Sequence, residues 1–343
     1  MTILENISLA LHTTFRAGGP AQYFVDAKTD DDVRDAILFA TKQKVLFFVL
    51  GGGSNVLFSD EGFVGLVIAM KSEYIAWEEN NEEVSVIADA GVVWDTLVLA
   101  TVAKGLFGLE NLSAIPGSVG ASVVQNIGAY GMEAAHVVSW IEVYDTKKDV
   151  IKRILKDDAM FGYRESIFKN EKGRHFIVLR VCFRFKKNGE LLRAYKDIAE
   201  YEKNIQQIIS VSDMRNAVIA IRAKKFPDLN KFGTAGSFFK NPVVDDAVAH
   251  AFLLQYPGAT HYKVEGGKTK LSAAWIIDHV LKMRGVRVGH VGTWDAQALV
   301  VVSDLHASSK EIIDFTSRVS KECNKKINIF LEPEVVIVQN KIA

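Results

Sequence analysis

The sequence predicts an α+β protein of two or three domains, on three observations. Its 343 residues are 49% hydrophobic, enough to bury more than one core without disulfides or metals. Apolar runs of strand length and period alternate with stretches of helical period along most of the chain. At Phe226-Pro227-Asp228 a helical pattern stops, because proline and the residue before it resist helical geometry, and a smaller α/β unit follows.

Taken in order, Thr29 to Lys44 reads as an amphipathic helix, with Val33, Ala36, Ile37 and Ala40 at helical spacing behind a Thr-Asp start. Val45 to Leu50 is a buried strand. Gly51 to Gly53 interrupt the apolar run, which resumes at Val56-Leu57-Phe58, so the glycines read as a tight loop held between core elements rather than a tether. Strands are expected at Val64 to Met70, Tyr74 to Trp77 and Val84 to Ala88, then a helix from Val93 to Lys104, then strands at Val137 to Tyr144 and Ile177 to Phe185. In the last, Ile177, Leu179, Val181, Phe183 and Phe185 alternate with Arg180, Cys182 and Arg184, which predicts one mainly buried face in a mixed or antiparallel sheet. A helix spans Ser212 to Lys224. Beyond the Pro227 break, helices are expected at Leu271 to Leu281 and Ser308 to Asn324, the second opening on a Ser308-x-x-Glu311 capping box. Strands are expected at Ala298 to Val302, Ile327 to Phe330 and Val335 to Val338.

Composition narrows the function. Lys plus Arg number 41 and Asp plus Glu 41, so no global field draws in nucleic acid or anionic lipid. The only cysteines, Cys182 and Cys323, suit a reducing compartment and form no metal motif, and the eight histidines include no HExxH pair, so no metal ion is expected. Met1 to Leu11 lacks a basic, then apolar, leader pattern, and no stretch is long enough for a membrane span, so a cytoplasmic protein is expected.

Four segments carry candidate chemistry. Gly233-Thr-Ala-Gly-Ser-Phe-Phe-Lys-Asn-Pro242 combines small residues that let a ligand approach the backbone with a hydroxyl, an ammonium and an amide; a Gly-rich surface loop is the alternative. Gly51-Gly-Gly-Ser-Asn55 follows a strand and offers backbone N–H groups to a phosphate or pyrophosphate, or forms a plain turn. It is neither GxGxxG nor a Walker A sequence, and no long helix is expected directly after it, which disfavours the ordinary mononucleotide folds. Ile115 to Ser122 and Gln125 to Gly131 are two uncharged small-residue loops suited to lying against a planar ligand such as a flavin, or to close packing of elements. Arg164, in Gly-Tyr-Arg-Glu-Ser, either holds a carboxylate or pairs on the surface with Glu165, and Leu331-Glu-Pro-Glu-Val335 puts two acids at the mouth of a strand.

Together these segments resemble the UDP-N-acetylenolpyruvoylglucosamine reductases, also called UDP-N-acetylmuramate dehydrogenases. The resemblance runs from Thr13-Thr-Phe-Arg-Ala-Gly-Gly-Pro-Ala21 through LGGGSNVLF, GLENLSAIPGSVGAS, QNIGAYG, FGYRESIFK, KFPD, GTAGSFFKNP and LEPEV, nearly the whole chain. The stretch Tyr256 to Leu271 looks like the substrate-covering loop of the family's type I branch. It implies an FAD-binding module of the PCMH or vanillyl-alcohol oxidase type, built of two α+β subdomains (1–70, joined by 331–343, and 71–225), and a substrate-binding α/β domain over 226–330.

It further implies reduction of the enolpyruvyl ether of UDP-N-acetylglucosamine by NADPH through FAD, giving UDP-N-acetylmuramate for peptidoglycan precursors. Gly51, Gly52, Gly53, Ser54 and Asn55 correspond to the cradle of the FAD pyrophosphate. Pro116, Gly117, Ser118, Gly120, Ala121, Ser122, Asn126, Ile127, Gly128 and Ala129 line the ribityl and isoalloxazine parts. Ala121 stands where other members have Gly or Ser, so a contact there is credited to backbone. Ser237 matches the residue that protonates the substrate carbon. Arg164 and Glu334 match the pair that stabilises the intermediate, with Glu334 expected to act in its acid form as a hydrogen-bond donor. Tyr195, Lys225, Asn241, Tyr262 and Gln297 match substrate contacts, chiefly to the diphosphate and uridine, with Tyr262 on a lid; Arg222 serves flavin or substrate, or solvates a helix end. A monomer is expected. The competing readings are another FAD oxidoreductase of the same fold, such as an alcohol or aldonolactone oxidase, and a catalytically silent flavin or nucleotide-sugar sensor.

Overall fold

A computed structural model describes residues 1–339. The described chain divides into two compact units, one formed by Met1–Ile7, Ala21–Gly53 and Val64–Arg222, the other by Ser8–Pro20, Ser54–Phe63 and the chain from Ala223 onward.

The first unit is built on two larger sheets. One has the order Leu4–Ser8, Pro20–Ala27, Phe63–Met70, Leu46–Leu50. Its last two strands are parallel, with Leu46 opposite Gly65 and Leu50 opposite Ala69. The crossover helix Asp30–Gln43 starts where Thr29 and Asp32 cap each other reciprocally (3.0 and 3.1 Å) and ends at Lys44, whose φ of +56° turns the chain into the next strand. Val33, Ala36, Ile37 and Ala40 are the face it buries, as their spacing predicts.

The other sheet is antiparallel throughout, ordered Val150–Leu155, Val138–Asp145, Phe176–Lys186, Glu83–Asp89, Ile75–Glu79. Its central strand is buried on more than the predicted face: Val178 and Cys182 are also covered, and the half-buried Arg180 is held by Asp30 at 2.7 Å. Helix Trp94–Ala103 packs on this core, with Trp94 fully buried and its indole N–H donating to the Leu112 carbonyl at 3.0 Å.

In the second unit, Val243–Asp245, Lys268–Leu271 and His261–Val264 form one antiparallel sheet and Arg287–Val288, Val291–Thr293 and Val301–Ser303 another. Val336–Val338 runs parallel to Val56–Phe58. Phe15, Phe238, Phe239, Ile276, Ile312 and Leu331 belong to a common core. Helix Ser309–Ile327 opens on the predicted Ser308/Glu311 capping box.

Several expectations need correction. Leu271 ends a strand, and the helix begins only after Ser272 caps it at Ala273–Trp275, continuing as a π-helix over Ile276–Val280. Ile327–Phe330 is not a strand: the helix runs through Ile327 and stops at Asn328 with φ +53°, an amide-tolerated left-handed cap. The strand expected from Ala298 is confined to Val301–Ser303, because Gln297 N bonds Trp294 O and Val300 N bonds Gln297 O in a tight turn. Helices Val119–Gln125, Lys196–Asn204 and Asp246–Gln255 are additional to those the sequence pattern predicts. Finally, the segments 8–20 and 54–63, which the sequence reading kept in the first subdomain, group with the C-terminal unit. The cause is non-local pairing: Val56–Phe58 with Val336–Val338, and Thr234 N to Thr14 O at 3.0 Å. The expected segment 331–343 lies outside the described residues from position 340.

Candidate active site

In the first unit the two glycine clusters meet. A Cβ on Gly51 would lie 2.5 Å from Ser118 Oγ and 2.9 Å from Ala121 Cβ, and one on Gly52 only 2.7 Å from Gly117 Cα. Gly53 and Gly117 have φ of +65° and +132°, which side chains disfavour. Gly51 and Gly52 have no room for a side chain where they meet the 117–121 loop, and at Gly52 the approach is backbone to backbone, so the pair forms a close-set cradle. Ser118 is buried, and its hydroxyl has no hydrogen-bond partner among the described residues. A buried hydroxyl left open beside bare backbone fits a polar ligand such as the pyrophosphate-bearing part of FAD. Pro116 is exposed on the same loop, and Gly120 packs so closely that its Cβ would sit 2.8 Å from Ala90 Cβ. Ser122 is buried and donates to Val119 O at 2.7 Å, a bond that uses up its proton within the helix.

Helix Val119–Gln125 ends at Asn126 with φ +43°, and the chain turns into a small hairpin, Gly128–Ala129 against Met132–Glu133. Its two linking residues, Tyr130 and Gly131, both have positive φ (+50° and +84°), the type I′ pattern that matches strand twist. Ile127 is held by Ser122 O and by Ala134 N, each at 2.9 Å. Arg164 joins this group. Gly162 and Glu165 exchange backbone bonds of 3.0 and 3.1 Å across Tyr163-Arg164, and the guanidinium donates to Gly128 O at 3.0 Å. A Cβ on Gly128 would be 3.2 Å from Arg164 Nη1 and 2.9 Å from Glu133 Cγ, so the missing side chain is what seats the guanidinium.

Tyr195 caps the helix Lys196–Asn204, is partly exposed, and meets the buried Tyr130 edge-on at 5.3 Å. Burial pushes the Tyr130 phenol up to about 12. Arg222 donates to Ala114 O at 3.2 Å and hydrogen-bonds Tyr130; its own burial lowers its pKa below the usual guanidinium value. Ala114 also donates its N–H to Asp95 at 2.6 Å, and Asp95 grips Arg215 with both oxygens (2.7 and 2.8 Å). Thus Arg222 and Asp95 fix the base of the 115–118 loop. Of these supports, the sequence reading singled out only Arg222. Tyr130 and Asn111, whose amide donates to Tyr130 O at 2.9 Å, lay inside the quoted motifs without being singled out.

In the second unit, Ser237 and Glu334 are placed by one ladder. Ser237 bridges Val300, Phe238 N bonds Leu299 O at 2.9 Å, and Glu334 N bonds Phe238 O at 2.8 Å. Both side chains are half-buried. Asn55 joins them, donating its amide to Glu334 O at 3.2 Å and accepting from Val336 N at 3.0 Å. Ser54 lies half-buried beside it. The glycines of this motif have separate reasons: Gly233 passes so near Phe15 O that a Cβ would lie at 2.1 Å, while Gly236 has φ +73°. Asn241 accepts from Ala273 N at 2.9 Å and so caps the helix there. Gln297 sits half-buried in the 294–300 turn that abuts Ser237. Tyr262 is exposed on the strand His261–Val264, with Lys270 Nζ 5.5 Å from its ring, and Lys225 ends the helix Val211–Lys225. Within units, then, the structure gathers Gly51 and Gly52 with Gly117, Ser118 and Ala121, Gly128 with Arg164, and Ser237 with Glu334 and Asn55. Among the described residues no group of His, Cys, Asp and Glu could hold a metal ion, and no helix is long and apolar enough to cross a membrane.

Residues 21–152 match a family described as "FAD binding domain", which contains the Gly51 and Gly117 loops. The cradle and this match define the class, an FAD-dependent oxidoreductase of α+β fold. Residues 228–338, which carry Ser237 and Glu334, match "UDP-N-acetylenolpyruvoylglucosamine reductase, C-terminal domain". A UDP-N-acetylenolpyruvoylglucosamine reductase of Photobacterium profundum is 36% identical over 337 residues, 98% of this chain and 95% of the relative. One of Escherichia coli K12 is 35% identical, covering 96% and 95%. The chain belongs to the UDP-N-acetylenolpyruvoylglucosamine reductase family. The crystal structure of such a reductase from Thermus caldophilus shares the fold, with a TM-score of 0.68 at 24% identity over 98% of each chain.

Proposed function

We propose that the protein reduces the enolpyruvyl ether of UDP-N-acetylglucosamine to UDP-N-acetylmuramate, with NADPH as electron donor, in peptidoglycan precursor synthesis. When bound, FAD carries the reducing equivalents from NADPH to the enolpyruvyl group. The observation that carries the reading is the set of backbone bridges that holds Ser237 and Glu334 on adjoining extended segments of the reductase-type C-terminal domain. Ser237 donates its hydroxyl proton to the substrate carbon; an alcohol is a weak acid, but the carbon base it meets is stronger, so orientation governs the step. Arg164 offsets negative charge on the substrate's carboxylate side, and Glu334 adds a hydrogen bond there. Ser54, Asn55 and the Gly51–Gly53 backbone hold the FAD pyrophosphate, and the 116–122 and 126–129 segments line the rest of the cofactor, Asn126 with its backbone alone. Tyr195, Lys225, Asn241, Tyr262 and Gln297 bind the nucleotide sugar, Lys225 as a point charge for phosphate. The same reading makes the protein a cytoplasmic monomer acting on a soluble nucleotide.

The test uses the purified protein: its flavin absorbance is recorded, and NADPH loss is followed with and without the enolpyruvyl nucleotide. Oxidation that depends on the nucleotide is expected. A colourless protein that refuses FAD, or NADPH loss indifferent to the nucleotide, would overturn the reading.

A further inference from the structure

Asn126 matches a cofactor position in the family pattern, yet its side chain is spent inside the protein. It is 1% exposed, and Nδ2 donates both hydrogens, to Glu133 Oε2 at 2.8 Å and to Gly162 O at 2.9 Å. Oδ1 accepts from Ala135 N at 3.1 Å. No donor is left for a ligand.

The partners matter more than the count. Gly162 is the base of the two-residue turn that presents Arg164, itself at φ +56°, and Glu133 lies on the strand paired with Gly128, whose carbonyl receives the Arg164 guanidinium. One side chain therefore ties the turn that carries the guanidinium to the hairpin that receives it. A parallel tie runs from Ser166 Oγ to Val124 O at 2.7 Å, and Lys169 Nζ caps Arg164 O at 2.6 Å, so the turn is anchored on both sides of Arg164.

We propose that Asn126 is a positioning residue for Arg164: it sets the register of the Gly162–Glu165 turn against the Gly128 strand and acts on turnover through the guanidinium, not through a side-chain contact with the cofactor. This rests on the reading that Arg164 stabilises charge in the substrate. A guanidinium displaced by about 1 Å is enough to cost on the order of a hundredfold in rate.

The test compares Asn126→Gly, which keeps the left-handed backbone and deletes all three bonds, with Asn126→Asp, which keeps the acceptor and loses both donors. Each is made alone and in an Arg164→Ala background and studied as the flavoprotein. FAD affinity, flavin reduction by NADPH and flavin reoxidation by the enolpyruvyl nucleotide are measured separately. Expected are FAD affinity and NADPH reduction within about threefold of wild type, reoxidation slowed by about tenfold to a hundredfold, and no further slowing in the Arg164→Ala background. Loss of FAD affinity with reoxidation intact, or additive slowing on top of Arg164→Ala, would overturn the proposal. If Arg164→Ala alone reoxidises normally, the role of Arg164 falls first and takes this inference with it. Should Asn126→Gly fail to fold, Asn126→Asp carries the same comparison.

Discussion

Gly52→Ala tests the cradle most directly. The added Cβ would lie 2.7 Å from Gly117 Cα and 2.9 Å from its carbonyl carbon. Carbon atoms rest at about 3.5 to 4.0 Å, so the two loops must part by roughly 1 Å. Both sides of the clash are backbone, with no side chain free to swing away. At Gly51 the obstacles are Ser118 Oγ at 2.5 Å, which can rotate, and Ala121 Cβ at 2.9 Å, which cannot, so Gly51→Ala strains the same contact. Gly52 does not have a positive φ, so alanine adds contact without backbone strain. Overpacking of this kind costs about 1 to 3 kcal/mol. If the free loops relax apart, FAD must close them again, and its affinity falls by about 5- to 150-fold at tenfold per 1.4 kcal/mol. If they stay closed, the same energy appears as lower apo-protein stability. Titrating FAD into the apo-protein by flavin fluorescence, together with apo-protein thermal melts, captures both shares. Gly258→Ala is the control, since nothing lies within 4 Å of its Cβ. A Gly52→Ala protein matching wild type in both affinity and melting temperature would refute the cradle.

Other outcomes follow from the same geometry. Ser237→Ala should leave flavin reduction by NADPH intact in stopped flow while slowing reoxidation by the nucleotide about 10²- to 10⁴-fold; equal slowing of both halves counts against the proton-donor role. Glu334→Gln keeps a hydrogen-bond donor and should hold most of the rate, while Glu334→Ala loses about a hundredfold; a Gln enzyme as impaired as the Ala one would contradict the donor role. Burial alone would raise the Asp95 carboxyl, but the Arg215 fork and the Ala114 N–H outweigh it and hold the group below its ordinary 3.8. On acidification the unfolded chain therefore binds this proton first. The stabilisation is complete above about pH 5 and is lost progressively as pH falls through the unfolded value and then the lower folded one. Asp95→Asn should lower stability at pH 7 by about 1 to 3 kcal/mol and flatten the acid limb of a urea-midpoint profile; an unchanged limb would refute the assignment.

Local signals in the chain were legible where a residue's role depends on near neighbours. Thr29 with Asp32 and Ser308 with Glu311 announce their helices because each cap is complete within four residues. Val119–Gln125 escaped notice because Gly120, Ala121 and Ser122 read as loop, while what holds the helix is distant: Gly120 N bonds Ala90 O and Val119 N bonds Val92 O, each at 2.9 Å. Ile327–Phe330 misleads for the converse reason: Ile327 and Ile329 flank Asn328 in strand-like alternation, but that asparagine is the left-handed cap that stops the preceding helix.

The site divides along the same line. Glycine marks a place where something comes close or the backbone turns left-handed, but not which. Gly52 yields to Gly117, Gly233 to the Phe15 carbonyl and Gly128 to the Arg164 guanidinium, whereas Gly236 answers to its φ alone. Each partner is far away in sequence, so no local pattern can name it. Asn126 carries this furthest: the motif marks it as belonging to the cofactor, and only the fold shows its amide holding the turn beneath Arg164. Motif residues around a ligand therefore comprise those that touch it and those that aim the ones that do, and hydrogen-bond capacity already spent inside the protein separates the two.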